Sequence, residues 1–553
     1  MKKGNTSIRY RSSIEKKCLL LFLGITFVLS FILKLSIMKA GSPFITIDDN
    51  TAFQGGFMVW FGQAPPQRMY LESWITGLSC LVTYLIKLIH SGQASSLGIN
   101  FIADAFRDYY GNPDLYVHIY RSFIIIVDMV TAWLIYLISS RVLGRLWRGW
   151  AAVLATVFYL FAYNTYWCDI VARPDTITAF FAVLGLYFYY NSDLGRKTNW
   201  FLLASIFFGL AAGMKLHAAL FPIFIAIDLI RVHGMRRGFE KALMLGMISF
   251  FFFCFSAGSI FFDPLTYIKL RRANAIDDAS PWISWGEQLI PLFRGTGFLI
   301  IPGIIAACWA VFKDRKVDDS IKSVVMLSIL WLVLLSSIRQ LRAYWMLPAL
   351  PIFFISAVYG FSCIKWTKLQ VTIVIATLLI MVGQSIVQVR HIQSVEFNQL
   401  RSWLKDNATD KPFYILGYEA VMLPKNTACI EKRATGLRRI LDDSIRQDLP
   451  FTTRHLKNWE ERSSLLLYDM LDYKYDPGFE YYGFYSTPPD KYKGIIDIKD
   501  MEYLLLQEHF PLSSNSEIKR LLEDQYKLVA TKIGAGKGGQ GLRYKIFKKI
   551  NEN

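Results

Sequence analysis

Charge is what this chain has little of. Asp, Glu, Lys and Arg make up 19% of its 553 residues, against 53% hydrophobic and 15% aromatic residues. A soluble chain of this length carries more charge and fewer Phe and Tyr, so a wholly aqueous fold is excluded. Acids are scarcer than bases, 43 against 61, for a formal net charge of +18. In a soluble protein that excess would suggest nucleic acid. Here no basic-aromatic array reads as a nucleic-acid groove, and Lys and Arg fall in short gaps between apolar runs, where the positive-inside rule puts them. The seven cysteines (Cys18, Cys80, Cys168, Cys254, Cys308, Cys363, Cys429) are scattered, mostly within apolar segments. They lack paired or metal-ligand spacing and read as packing residues. No internal repeat of the transporter kind is visible. Gly534 to Gly541 contains a Gly-x-Gly-x-x-Gly match, but it precedes a strand pattern at the chain's end, so the nucleotide-binding context fails and a hairpin loop is expected.

What is present is a series of long apolar runs. A basic stretch, Met1 to Lys17, precedes the run Cys18 to Met38, which is long enough to span a bilayer. It is longer than a signal-peptide core, and Lys39-Ala40-Gly41-Ser42 is a weak cleavage site, so a retained helix with a cytoplasmic N-terminus is expected. Tyr120 to Ser140 is the next clear span. The arginines that follow it (Arg141, Arg145, Arg148) belong in the cytoplasm if residues 40–118 stay outside, which lays Glu72 to His90 along the surface. Alternation continues through Gly149–Tyr166, Thr176–Tyr190, Trp200–Met214, Ala218–Ile230, Ala242–Phe262, Gln288–Phe312, Ser323–Ser337, Ala343–Cys363 and Leu369–Val389. The expected fold is thus a polytopic α-helical membrane protein with about eleven spans. Its membrane domain would be residues 1–390, with an outer loop at 40–118. An odd span number puts residues 391–553 outside. There hydropathy falls, and Lys411–Gly417, Tyr526–Ile533 and Gly541–Lys548 read as strands and Glu517–Glu523 as a helix, hence a C-terminal extracytoplasmic α/β domain.

This topology gathers acids and bases on one side. Asp48 and Asp49 lie just beyond the first helix. Adjacent carboxylates at a membrane surface suit a general base, a metal ligand or a cation site. The turn Tyr166 to Asp175, the loop Asp263 to Glu287 with Arg271 and Arg272, and the segment Ser337 to Pro348 with Arg342 and Tyr344 share that side, as do Lys215 and His217. The division suits transfer from a phosphate-linked donor. Arg and Lys would stabilise a leaving phosphate, and a carboxylate on the opposite side of the reacting carbon would deprotonate an acceptor hydroxyl.

The motifs and their order resemble those of the C-type membrane glycosyltransferases, in particular the protein O-mannosyltransferase and aminoarabinose transferase superfamily, over about residues 15 to 390. The carriers are Asp48-Asp49 followed by Pro65-Pro66, Arg121-Ser122, Ala172-Arg173-Pro174-Asp175, Gly209 and Gly213 leading to Lys215, and Arg342, Tyr344 and Pro348. The resemblance implies the C-type glycosyltransferase fold, a polyprenyl-phosphate-linked sugar donor, and a glycan, lipid or protein acceptor. The bilayer is the other partner and nucleic acid is not one. The enzyme would invert the sugar, and the cell membrane (inner or plasma) would be its place. Asp48, Asp49 and Asp175 would be catalytic; Arg342, Tyr344, Lys215, Arg271 and Arg272 would bind the donor phosphate. Relatives often carry Lys before Pro-Pro. Ala64 stands there in this chain, which brings Arg68 forward as a substitute. No cofactor is implied with certainty, and a divalent metal stays open.

Plainer roles stand beside these. Asp48 fits a loop acid or helix cap, Asp175 a cap on the helix beginning at Thr176, and Arg342 and Tyr344 interface anchors. Asp128, inside an apolar run, fits a hydrogen bond between helices, although intramembrane acids are functional by default. The competing functions are a transporter or lipid-linked glycan flippase, and a receptor or scaffold acting through its C-terminal domain.

Overall fold

The computed structural model describes residues 4–38, 47–60, 70–92, 101–111, 113–144, 146–171, 174–258, 293, 297–314, 316–337, 343–364, 367–393, 399–408, 411, 413–416, 423–424, 479–480, 501–507, 516–534 and 543–550. Two compact units divide the chain. The first holds residues 1–38, 69–72 and 122–391, and the second holds 39–68, 73–121 and 392–553.

The helices of the membrane region run in chain order as α1 (Gly4–Ile37), α2 (Ile47–Trp60), α3 (Tyr70–His90), α4 (Phe101–Gly111), α5 (Pro113–Leu143), α6 (Trp150–Leu160), α7 (Tyr163–Ile170), α8 (Asp175–Asn191), α9 (Thr198–Met214), α10 (Leu220–His233), α11 (Met235–Ala257), α12 (Ile300–Lys313), α13 (Asp319–Ser337), α14 (Leu350–Ser362) and α15 (Thr367–Ile392). Every segment expected to span falls on at least one of them. Among the described residues, eight helices are long and apolar enough to cross a membrane, or nine if the bent pair α6–α7 counts as one span. The sequence count of about eleven is higher because it also takes in shorter apolar helices such as Thr198–Met214 and Ile300–Lys313. Leu71–His90 is among the eight by length and composition, where the loop-charge argument laid it along the surface.

In the first unit the apolar side chains of α5, α6, α8, α9, α10, α12, α13 and α14 form one continuous core. Helix α9 packs on α8 and α11 through small residues. A Cβ on Gly209 would overlap the Ser249 carbonyl, and one on Gly213 would overlap the Ser256 hydroxyl. With little hydrophobic drive between helices in lipid, such close approach is what holds them together. The α8–α9 connection is tight: Asp193, Leu194 and Gly195 all take positive φ (56°, 55° and 86°). Leu194 is poorly suited to that conformation. Its side chain is buried, and its carbonyl meets His233 Nε2 at 2.8 Å, so the surroundings enforce the turn.

In the second unit, the acidic pair Asp48-Asp49 stands in the first turn of α2 rather than in an open loop. A helix N-terminus favours negative charge there. Further along, α2 crosses α3 where a Cβ on Gly56 would come within 2.6 Å of Gly77 N. Phe53 and Phe57 close the other side against Tyr109 of α4, with ring centroids 5.4 and 5.5 Å apart.

The C-terminal part of this unit carries α16 (Gln399–Asn407), β1 (Phe413–Leu416), β2 (Leu423–Pro424), β3 (Phe479–Glu480), β4 (Tyr503–Gln507), α17 (Ser516–Gln525), β5 (Tyr526–Gly534) and β6 (Arg543–Lys549). Four strands form a sheet ordered β1-β4-β6-β5; β1 pairs parallel with β4, and the other pairs are antiparallel. The expected strands are β1, β5 and β6, and the expected helix is α17. Between β1 and β6 lies β4, Tyr503-Leu-Leu-Leu-Gln507, which the sequence pattern does not reveal. A short run buried on both faces lacks the alternation that marks a strand.

Candidate functional site

Two of the expected site residues are described in full, and the structure brings them together. Pro174 is the N-cap of α8 and makes no side-chain capping hydrogen bond, and Asp175 is the first helical residue. Its side chain turns to Lys215, whose Nζ donates to Asp175 Oδ1 in an ion pair that is 1% exposed on the acid side and 19% on the lysine side. Asp175 thus stands in the first turn of α8, where a helix dipole favours an acid, and pairs with Lys215 as well. Lys215 follows α9 in an extended conformation (φ −146°, ψ 128°), and a 3-10 turn, Leu216–Ala219, follows it. The glycines ahead of it, Gly209 and Gly213, act one step removed: they seat α9 on α11, and that seat fixes where the helix ends and Lys215 begins.

Among the described residues, two buried polar atoms at this pair have no hydrogen-bond partner. One is Asp175 Oδ2 and the other His217 Nε2. Buried polar groups are nearly always satisfied, so each such atom calls for an explanation. His217 lies over Trp345, with ring centroids 6.2 Å apart and 25° between planes. Trp345 belongs to the 3-10 segment Ala343–Ala349, whose backbone includes Tyr344 and packs on both α7 and α8. The late Arg-x-Tyr motif thus runs directly into a segment beside the elements that carry Asp169 and Asp175.

The structure also shows a cluster that sequence reasoning found only in part. Lys34 of α1 is fully buried, and its Nζ donates to Asp128 Oδ2 at 2.8 Å and to Asp169 Oδ2. Tyr159 donates to Asp128 Oδ1 at 2.7 Å, and Thr176 to Asp169 Oδ1 at 3.3 Å. The expected role of Asp128, a hydrogen bond between helices, agrees with these contacts. The available signal was a Lys inside the first apolar run facing an Asp inside the second, since such charges are buried only when paired. At the other end of α8, a further buried acid, Asp228, accepts from Tyr189 Oη (2.8 Å), Ser323 Oγ (2.5 Å) and Arg231 Nε (2.7 Å).

The remaining candidates are not placed. Arg68, Arg173, Arg271, Arg272 and Arg342 lie outside the described residues, and so do the side chains of Asp48, Asp49 and Tyr344. Among the described residues no group of three or more His, Cys, Asp or Glu is arranged to hold a metal ion.

Residues 110–261 match the family model described as dolichyl-phosphate-mannose-protein mannosyltransferase. Among curated proteins, none matches the sequence. The structure is similar to that of ArnT from Cupriavidus metallidurans in the apo state, with a TM-score of 0.54 at 12% identity over 97% of this chain and 98% of that one. ArnT from the same organism bound to undecaprenyl phosphate matches with a TM-score of 0.52 at 10% identity, over 96% of this chain and 98% of that one. The Archaeoglobus fulgidus oligosaccharyltransferase matches at 12% identity with a TM-score of 0.43, and 70% of this chain covers 56% of that protein. This chain therefore spans little more than half the length of that relative. At these identities the ArnT likeness is one of fold.

Proposed function

We propose that this chain, whose fold and family match set it with the C-type membrane glycosyltransferases of the protein O-mannosyltransferase and aminoarabinose transferase superfamily, moves a sugar from a polyprenyl-phosphate donor to an acceptor hydroxyl. The observation that carries the reading is the buried Asp175–Lys215 pair with its open Oδ2, inside the segment the family model matches. A buried carboxylate oxygen left without a partner among the described residues suits a substrate hydroxyl, because the group gains a hydrogen bond when the substrate arrives. The undecaprenyl phosphate bound to ArnT in one of the similar structures agrees with a lipid-phosphate donor.

In this mechanism Asp48 is the base. Its ionised carboxylate takes the proton of the acceptor hydroxyl as the oxygen bonds to the sugar's anomeric carbon and the bond to phosphate breaks. Asp49 supports Asp48, and Asp175, oriented by Lys215, holds a sugar or acceptor hydroxyl. The leaving phosphate takes the electron pair, and Arg342, Tyr344, Arg271, Arg272 and Arg68 would stabilise it; Arg provides a two-pronged contact. Lys215 adds its charge through the pair with Asp175. Which sugar and which acceptor are used follows from the assay that tests the reading. Purified protein in lipid nanodiscs is offered a panel of polyprenyl-phosphate sugars with glycan, lipid and peptide acceptors. Transfer of one sugar supports the reading, and failure with every donor overturns it.

The break between α6 and α7, a 49° bend, favours a second reading, since transporters use interrupted helices. A flippase would move the intact lipid-linked sugar across a vesicle membrane without consuming it, so the same donors in sealed vesicles separate the two.

The assigned roles can be tested one residue at a time. Arg342→Ala should weaken use of the lipid donor by about 1.5 to 3 kcal/mol, the scale of a charge-assisted hydrogen bond; kinetics in donor concentration read this, and unchanged values remove the contact. The proposed topology puts residues 40–118 and 391–553 on the same, non-cytoplasmic side. Membrane-impermeant thiol reagents should then reach cysteines introduced at both Ser95 and Ser513 in intact cells. Labelling of one without the other breaks that arrangement.

A further inference from the structure

We propose that Lys34 is a positioning residue: through Asp169 it holds the end of α7 against the first turn of α8, and with it Asp175, in the geometry that the proposed transfer needs. This rests on the reading of Asp175 given above.

The contacts form a chain. Lys34 Nζ meets Asp128, Asp169 and the face of Tyr166, 4.8 Å from the ring centroid, so its donors and charge are directed into α5 and α7. Asp169 sits one residue before the end of α7. Its second oxygen accepts from Thr176, one residue into α8, so a single carboxylate bridges the turn from one side to the other. Within that turn the Pro174 carbonyl accepts both the Thr178 amide and the Thr178 hydroxyl, each at 2.7 Å. Asp175 is gripped from beyond by Lys215. The start of α8 is thus held on one side through Asp169, which Lys34 of α1 meets, and on the other by Lys215, just past the end of α9.

The break before α7 is fixed from the same side. Where helical bonding lapses, the Leu160 carbonyl accepts from Ser30 Oγ at 3.0 Å and the Phe161 carbonyl from Ser385 Oγ at 2.7 Å. Ser30 and Lys34 are four residues apart, on one face of α1. That face of α1 satisfies one freed carbonyl and supplies the cation, and α15 satisfies the other, which makes the bend a set joint rather than a free one.

Stability alone is a poor reason for this cluster. Three fully buried ionisable groups, with one ammonium facing two carboxylates, cost desolvation that apolar side chains of similar volume would avoid. A gain in geometry accounts for it better.

Asp128→Asn and Asp169→Asn separate positioning from packing. Each leaves Lys34 one carboxylate, so each keeps one ammonium against one acid and changes volume little. They differ in that Asp169 alone touches the turn. Both variants are made in the full chain, with and without Ala172→Cys as a reporter whose reaction with a thiol reagent does not depend on activity. Asp169→Asn should lower kcat by about 10- to 100-fold, the cost of a small misplacement, with donor KM changed less than about twofold, and should alter the reporter's labelling rate. Asp128→Asn should leave kcat and labelling within about twofold of the parent on the same scale. Equal effects of the two substitutions, or unchanged kcat and labelling in Asp169→Asn, overturn the proposal. If no donor supports transfer by the parent protein, the labelling difference still decides it: the clamp stands while the proposed chemistry falls, or both fall.

Discussion

Asp48→Asn leaves the chain folded and lowers sugar transfer by about 10²- to 10⁴-fold, the usual range for loss of a general base. The fold survives because α2 is seated further along, by Gly56 against Gly77 and by Phe53 and Phe57 against Tyr109. The substitution keeps the shape of the side chain and removes its ability to accept a proton. In the proposed single displacement, where the acceptor attacks from the side opposite the leaving phosphate, the product is expected to carry the inverted anomeric configuration. Rates with the active donor, and the configuration of the product by NMR, read both halves of the expectation. Near-normal turnover would move the base to Asp49 or Asp175, and a retained configuration would remove the single displacement altogether.

Gly360→Val costs the membrane unit about 3 kcal/mol or more, at the upper end of what overpacking does. Gly360 of α14 faces Gly303 of α12, and a Cβ placed on it would overlap the Gly303 carbonyl and stand 2.8 Å from Ala307 N. Both obstacles are backbone, so no rotamer change relieves them; the helices must separate, and apposed small residues are what bind helices in lipid. Gly246→Val is the matching control. It lies on α11, and its added Cβ would meet nothing within 4 Å, so the change should stay within about 1 kcal/mol. Thermal unfolding of the two variants in the same detergent measures the difference. Coincident midpoints would show that α12 and α14 do not approach so closely.

The membrane helices were legible because long apolar runs separated by Lys and Arg leave little choice of element, and each expected span lies on a helix. What hydropathy could not resolve was length and tilt, hence the difference over Thr198–Met214 and Ile300–Lys313 and over the placement of Leu71–His90. In the C-terminal sheet, β5 and β6 show clear boundaries, whereas β4 is an apolar triplet between polar neighbours that only its partners identify. At the site, motif order singled out Asp175 and Lys215 without showing that they pair, because a separation of 40 positions hides the contact. Lys34 is hidden for a related reason. Near the end of an apolar run it reads as a snorkelling interfacial charge, and its burial depends on acids 94 and 135 residues away.

Helix α8 has unlike ends. At 17 residues it is about 25 Å long. Its last turns are moored: Tyr189 binds Asp228, which also takes Ser323 and Arg231, and Tyr190 meets Ser323 at 3.3 Å. Its first residue keeps an oxygen in reserve. Both ends are therefore held, the far one around Asp228 and the near one by Asp169 and Lys215, so the open oxygen at the tip sits on a rod whose position two separate moorings set.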